Sequence, residues 1–535
     1  MKLLMIVAAA VLAVSCFAAE PIRVKLAAFN DFHGNLRSPA EGQPMGDGTT
    51  TQAGGVAQIA AKLAELRSDN AHFASVFAGD LLGATPMLSM MFDDEPTVEA
   101  MNLAGLDFGS VGNHEFDYGI EHLRRLQGGG CPQDGCKSGA AFSGARFGWL
   151  AANVIEKATG KPVLPPYAVK QFGPVKMAFI GVTTIETATL IPTRAAAPLE
   201  FRDEAATVNA LVPELKAQGI EAIALLIHEG GRADGGANAC ENPRGRILDI
   251  VRRLDSAIDL VVSGHTHRSY VCRIDGRLVT SAGSYGRLLT EIDLEIDPGT
   301  RDVVRTSAVN RVVLADGRSD PAVAALVERY SKLGSPTLDK PVGRIAASHW
   351  RTPSAAGETA MGNLVADSQL AASADQGAQI AFMNPGGIRA SLVHKGDGRL
   401  TFADVFEVYP FTNTLVTMTL SGAQIVRLLE QQWQEGRGGI LQVSRGFSYT
   451  WNAALPPGRR VTGVKLNGEP LKAEANYRVT ANSYIAGGGD GFRVFLEGRD
   501  RVTGPLHARE ALIRWLEAEP PRAPATGSRI EMASQ

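Results

Sequence analysis

Five short segments of this chain set Asp, His or Asn just past a run that reads as a buried β-strand. They are Phe29-Asn30-Asp31-Phe32-His33, Ala78-Gly79-Asp80, Gly112-Asn113-His114-Glu115, Ile227-His228-Glu229 and Gly264-His265-Thr266-His267. Together they offer Asp31, His33, Asp80, Asn113, His228, His265 and His267 as oxygen and nitrogen donors. Carboxylate, amide and imidazole donors in that number suit two divalent cations that share one carboxylate. Asp-x-His and His-x-His spacing puts both donors on one side of an extended segment, so His265 and His267 can each serve a different ion. A single His after a strand, or a single Asp after a glycine, is ordinarily a satisfied polar residue or a turn. That reading does not account for five of the ten histidines falling in such segments. The donor set admits zinc, manganese, cobalt or iron.

Positioning these donors requires a layered scaffold. Ile22 to Phe29, Phe73 to Ala78, Ala222 to Ile227 and Leu260 to Ser263 read as strands. Val56, Ile59, Leu63 and Leu66, and later Ile247, Ile250, Val251 and Leu254, repeat at helical spacing. The alternation predicts an α/β layered domain, in which ligands gather beyond the carboxyl ends of the strands. All five donor segments fall there.

At 535 residues the chain calls for two domains or more. Residues 20–314 are expected to form the first, residues 315–341 a linker helix or hinge, and residues 342–525 a smaller mixed α/β domain. The linker pattern predicts a helix from Pro321 to Leu333, broken at Gly334-Ser335-Pro336. In the second domain Ser421-x-x-Gln424 is a capping box for a helix carrying Ile425, Leu428, Leu429 and Trp433. Val461 to Leu466 and Tyr477 to Thr480 read as strands, and the tail from Pro520 as loose.

Formal net charge is −3, from 53 basic and 56 acidic residues, so nothing points to nucleic acid as a partner. A small-molecule substrate and a monomer are expected. Residues 1–19 read as an export signal, with Lys2 ahead of the apolar stretch Leu3 to Val14 and small residues after it. No later run is long enough for a membrane span. The mature chain is therefore expected in the periplasm or outside the cell, with lipid anchoring at Cys16 the less favoured alternative. The remaining cysteines, Cys131, Cys136, Cys240 and Cys272, are even in number and favour disulfides in an exported chain. The short Pro132-Gln133-Asp134-Gly135 loop allows Cys131 to pair with Cys136, which leaves Cys240 for Cys272. Zinc binding by these four is the rival reading, disfavoured because no C-x₂-C spacing occurs.

The donor segments resemble the signature of the calcineurin-like metallophosphoesterases. The second half resembles the carboxy-terminal domain of the 5′-nucleotidase family, through Asn384-Pro385-Gly386-Gly387-Ile388-Arg389, Tyr409-Pro410-Phe411-Thr412-Asn413 and Gly487-Gly488-Gly489-Asp490-Gly491-Phe492. The resemblance implies a four-layer sandwich followed by a substrate-binding domain, as in the bacterial periplasmic 5′-nucleotidase/UDP-sugar hydrolases. It implies one ion on Asp31, His33, Asp80 and His267, and another on Asp80, Asn113, His228 and His265. Two such ions can deprotonate a shared water, whose hydroxide attacks phosphorus in line with the leaving group. By the same resemblance His114, oriented by Asp117, stabilises the transition state or assists the leaving oxygen. Arg389 would grip phosphate, Phe411 and Tyr484 would clamp the base, Asn384 and Asn413 would add polar contacts, and Asp490 would bind the ribose hydroxyls.

The chain departs from that pattern in three places. Gly357-Glu358 stands before Met361-Gly362-Asn363 where many relatives carry a phosphate-binding Arg, with Arg351 as a substitute anchor. Tyr replaces the commoner Phe at 484, and Pro385 a usual Gly. The expected activity is hydrolysis of nucleoside 5′-monophosphates, with UDP-sugars as further substrates. Three alternatives remain: a 2′,3′-cyclic-nucleotide 2′-phosphodiesterase with 3′-nucleotidase activity, a manganese thiosulfohydrolase, and an inactive nucleotide-binding surface protein. The paired rings at 411 and 484 count against the thiosulfohydrolase, and the intact donor set counts against the inactive binder.

Overall fold

The computed structural model describes residues 20–45, 48–433, 439–518 and 520–533. The expected export signal and Cys16 lie outside the described residues.

The strand Ile22–Phe29 shows how the chain builds its layers. Alternate side chains leave opposite faces of a strand. Here Val24, Leu26 and Ala28 face one core while Ala27 and Phe29 face another. Phe73–Ala78 divides the same way, with Ala74, Val76 and Ala78 on one side and Phe73 and Phe77 on the other. A strand buried on both faces reads as a near-continuous apolar run, as these two do.

Six strands form the first sheet, in the order Val303–Val312, Leu288–Ile296, Ile22–Phe29, Phe73–Ala78, Phe108–Ser110, Gly148–Leu150. A second six-stranded sheet runs Ser269–Ile274, Arg277–Ala282, Leu260–Ser263, Ala222–His228, Val175–Thr183, Tyr167–Phe172. Ala222, Ala224 and Leu226 of the second sheet join the core shared with the first, while Ile223, Leu225 and Ile227 pack under the helices Glu204–Ala217 and Ile247–Arg253. Helices Val56–Asp69 and Glu95–Ala104 cover the outer face of the first sheet. The result is a four-layer α/β/β/α sandwich, with its central strands parallel.

The helix after the sandwich corrects the expected break. It runs Pro321–Leu338, straight through Gly334-Ser335-Pro336. Asp320 caps it, its carboxylate accepting from the amides of Ala322 and Val323. Gly334 lets Met91 and Leu338 approach closely, and Val323, Tyr330 and Leu338 join the sandwich core. Tertiary burial outweighs the hydrogen bond that Pro336 removes.

The second half is a mixed α/β unit around a five-stranded sheet. Its order is Gln442–Val443, Ile380–Met383, Asn476–Asn482, Thr414–Ser421, Arg499–His507. The capping box forms as its spacing predicts, with Ser421 and Gln424 each bonding the other's amide. The helix it starts ends at Glu430, and Trp433 sits in a following 3₁₀ turn. A smaller sheet completes the unit, and here the tail corrects the expectation of looseness. Ile530–Met532, past residue 525 where the domain was expected to end, pairs in parallel with Phe447–Trp451. Ile530 is buried, and Arg529 forms a two-pronged ion pair with Asp367. Both disulfides form, Cys131 with Cys136 and Cys240 with Cys272. No helix among the described residues is long and apolar enough to cross a membrane.

Candidate metal centre

The carboxyl ends of five strands converge on one buried cup. Asp31, His33, Asp80, His265 and His267 all adopt left-handed backbone, with φ of 49°, 48°, 50°, 71° and 55°. Such φ values are uncommon outside glycine and cluster where structure serves a site. Glycines clear the space around them. A Cβ on Gly112 would sit 2.1 Å from Asp80 Oδ1, and one on Gly79 would sit 2.4 Å from His228 Nδ1.

Two donor groups result. Asp31, His33, Asp80 and His267 form one, and Asp80, His228 and His265 the other, with donor atoms in each within 4.8 Å of one another. Asp80 belongs to both. His267 Nε2 lies 3.2 Å from Asp31 Oδ1, His33 Nε2 lies 3.6 Å from Asp80 Oδ2, and His228 Nε2 lies 3.0 Å from the same oxygen. Asn113 is buried at the same rim, one residue past the glycine that abuts Asp80.

Several hydrogen bonds aim these donors. His33 Nδ1 donates to the Gly83 carbonyl at 2.8 Å, and His228 Nδ1 to the Ala78 carbonyl at 2.8 Å, which leaves each Nε2 lone pair pointing into the cup. The far oxygens of the acids are anchored too. Asp31 Oδ2 accepts from the His265 amide and from Asn30 Nδ2, and Asp80 Oδ1 accepts from the His114 amide. Asp31 Oδ1, Asn113 Oδ1 and His228 Nε2 are buried without a hydrogen-bond partner among the described residues. Orphaned lone pairs of this kind are costly unless something binds them, and a pair of divalent cations fits this set.

The electrostatics agree. Burial alone would raise the Asp31 carboxyl, but the His267 imidazole holds it at about 2. Burial likewise opposes ionised Asp80, and His228 and His114 hold its carboxyl well below the usual range. His114 stands just outside the donor groups, with Nδ1 donating to Asp117 Oδ2 at 2.7 Å. Burial disfavours its charged form, but the carboxylates of Asp117 and Asp80 outweigh that and raise its pKa.

The second half supplies the facing wall. Arg389 Nη2 donates to His33 Nε2 at 3.2 Å, and the Phe411 ring lies near-parallel to His114, centroids 6.4 Å apart. Asp490 accepts from Asn384 Nδ2 at 2.7 Å and from the Tyr484 hydroxyl at 2.8 Å, so these three form one cluster. Asn413 binds the Tyr409 hydroxyl instead, beside the Phe411 ring that packs on Tyr409. Arg351 Nη1 donates to the Arg389 carbonyl at 2.6 Å.

The sequence reading gave no part to three other residues. Glu115 is buried, and its carboxylate accepts from the amides of Asp80, Leu82 and Gly112 at 3.0, 3.0 and 2.6 Å. Asn30 ties the Asp31 turn to Ala282 and Gly283. Both lie inside the quoted segments, and their adjacency to donors was the available signal. Tyr285 packs its ring against His33 and His267, and nothing in the sequence marked it.

A family profile described as the 5′-nucleotidase, C-terminal domain, matches residues 341–497. The chain is 32% identical over 521 residues to the Bacillus subtilis protein named Endonuclease YhcR, covering 96% of this chain and 41% of that one. It is 28% identical over 518 residues to the Listeria monocytogenes Cell wall protein Lmo0130, covering 89% of this chain and 65% of that one. It thus spans less than two thirds of either relative. The crystal structure of a 5′-nucleotidase precursor from Thermus thermophilus superposes with a TM-score of 0.80 at 27% identity, over 96% of this chain and all of that one.

Proposed function

Because the chain belongs to the 5′-nucleotidase family, we propose that it is a dimetal phosphohydrolase that releases phosphate from nucleoside 5′-monophosphates. The observation that carries this reading is the sharing of Asp80 between two donor groups, with His114 and Asp117 at their edge. In this reading Asp31, His33, Asp80 and His267 hold one divalent ion, and Asp80, Asn113, His228 and His265 the other. Two ions so held would supply Lewis acidity and lower the pKa of a bound water.

The chain's own residues do the rest. His114, kept protonated by Asp117, offers Nε2–H to the phosphoryl or leaving oxygen, a contact of the kind that stabilises developing charge. Arg389 and Arg351 hold the phosphate as planar cations. Phe411 and Tyr484 stack on the base, while Asp490, oriented by Asn384, meets the ribose. Residues 20–314 act as the catalytic domain and residues 342–525, together with the strand Ile530–Met532, as the substrate domain, hinged near 315–341. Two disulfides and a relative named as a cell wall protein support a site of action in the periplasm or outside the cell.

The test is phosphate release from AMP. Activity should vanish on chelation and return with manganese, zinc or cobalt, and His114→Ala should lower kcat by roughly 10²- to 10⁴-fold. Full activity after exhaustive chelation would refute the reading. Phosphodiester hydrolysis is a second reading, favoured by the relative named as an endonuclease. A screen of 5′-, 3′- and 2′,3′-cyclic nucleotides and UDP-sugars separates the two.

A further inference from the structure

One side chain ties the metal centre to the other half of the chain. Tyr285 lies in the turn between the strands Arg277–Ala282 and Leu288–Ile296. It is buried, and its backbone takes a φ of 63°. A bulky residue is a rare occupant of that left-handed region, and such backbone persists only where its surroundings fix it. The Tyr285 amide donates to the Asp31 carbonyl at 2.7 Å. Its ring meets the imidazoles of His33 and His267 edge to face, with centroids 5.9 and 5.4 Å away. The Arg287 guanidinium lies over the same ring, 5.5 Å from its centroid. Ring and amide are therefore set against three of the candidate ligands.

The hydroxyl reaches the second half of the chain. It donates to the Arg389 carbonyl at 3.4 Å, and the same oxygen accepts from Arg351 Nη1 at 2.6 Å. Arg351 is held at its main chain as well. Its amide donates to Ser391 Oγ at 2.9 Å, and the Ser391 hydroxyl donates to the Glu41 carboxylate. Tyr285 and Glu41 belong to the sandwich, whereas Arg351, Arg389 and Ser391 belong to the second half. Both arginines are thus placed by polar contacts that cross between the halves. An aromatic ring behind metal-binding imidazoles ordinarily fills space, and phenylalanine would fill it equally well. Packing gives no reason for a hydroxyl on the carbonyl of an arginine.

We propose that Tyr285 is a positioning residue for phosphate binding, whose hydroxyl sets the Arg389 main chain and the Arg351 guanidinium in register with the ligands that its ring and amide hold. This rests on the nucleotidase reading, in which those two arginines grip the phosphate. A grip set in this way acts on the phosphoryl group and is indifferent to the base.

The test is Tyr285→Phe, which keeps the ring and removes the hydroxyl. Its Tm and its manganese affinity should match wild type. KM for AMP should rise about fivefold, the worth of one ordinary hydrogen bond, with kcat nearly unchanged. KM for p-nitrophenyl phosphate should rise by the same factor, since the contact serves the phosphate. In an Arg351→Ala background the same substitution should cost at most about twofold, because neighbours that share a partner are not additive. Calorimetry on the manganese-loaded proteins provides a second arm, in which Tyr285→Phe should weaken orthophosphate binding by the same factor as it raises KM. Wild-type KM values, or an equal loss in both backgrounds, overturn the role. A fall in manganese affinity large enough to explain the rise in KM assigns Tyr285 to the metal centre alone and also overturns it. If the wild type releases phosphate from neither ester, the nucleotidase reading fails and the orthophosphate arm alone decides: weaker binding in the variant upholds the role, and no difference overturns it.

Discussion

Replacing Glu115 with Gln tests whether the metal loops are held by the protein or by the ions. One carboxylate oxygen accepts from the amides of Asp80 and Gly112, and the other from Leu82. A Gln amide keeps one acceptor oxygen and turns an NH₂ toward the remaining amide or amides. At least one bond is lost and a donor faces a donor inside a 3%-exposed site. A hydrogen bond to a charged acceptor contributes roughly 1.5–3 kcal/mol, and an unsatisfied buried donor costs about 1–3 kcal/mol. The Glu115 carboxyl is not fully ionised at neutrality, since burial and the Asp80 charge push it up to about 7. The lower halves of those ranges therefore apply, and the expected loss of stability is about 2–4 kcal/mol. Because the staple fixes Asp80 and the turn carrying Asn113, metal affinity should also fall, by roughly 10- to 100-fold. Urea unfolding of the metal-free protein gives the first quantity, and calorimetric titration with manganese gives the second. A Gln variant that unfolds at the wild-type midpoint and binds manganese equally well would refute the staple. A stability loss without any change in affinity would refute its link to the metal centre.

Three further outcomes follow. Phe411→Ala should raise KM for AMP by an amount matching roughly 1–3 kcal/mol of stacking while leaving KM for p-nitrophenyl phosphate nearly unchanged. Equal effects on both would remove the stacking role. Burial and the neighbouring Asp302 carboxyl push Asp259 up to about 8. The folded chain therefore keeps a proton there that the unfolded chain sheds near pH ~4. Stability from this site is full at low pH and falls as pH rises through about 4 to 8. Asp259→Asn keeps an acceptor for the Ile223 amide and should flatten that fall, so its Tm at pH ~8 should exceed wild type by the equivalent of ~1–2 kcal/mol after screening at this half-buried position. A parallel Tm-against-pH profile would contradict it. Removing Cys240 and Cys272 together opens a loop of sequence separation 32 and should cost about 3–4 kcal/mol in the chain-entropy account, read by urea denaturation.

The sandwich was legible because its strands carry their burial in their composition. Leu-Leu-Ile at 225–227 and Val-Val at 261–262 are apolar on successive positions, as a parallel strand covered on both sides must be. The donor segments were legible because chemistry restricts side-chain type more tightly than packing does. Backbone conformation was not. Nothing in Asp31-Phe32-His33 announces left-handed φ at both ends, since that conformation is imposed by the sheets meeting there. The helix through Pro336 escaped for a related reason, since proline's local penalty is visible in a sequence and the burial of Tyr330 and Leu338 that overrides it is not. The tail failed in the same direction: its Pro/Ala-rich composition masks one short strand whose partner lies about eighty residues earlier.

That late strand has a consequence for how the chain is made. Ribosomes deliver residues in order, so Phe447–Trp451 emerges with one neighbour missing until residue 532 has followed it. Throughout that interval its open edge offers unpaired amides to any passing strand. A nascent chain with such an edge must be kept from pairing wrongly. A β-partner that arrives about eighty residues later leaves that need open for the whole interval, so nascent copies of this protein should depend on an escort that shields that edge.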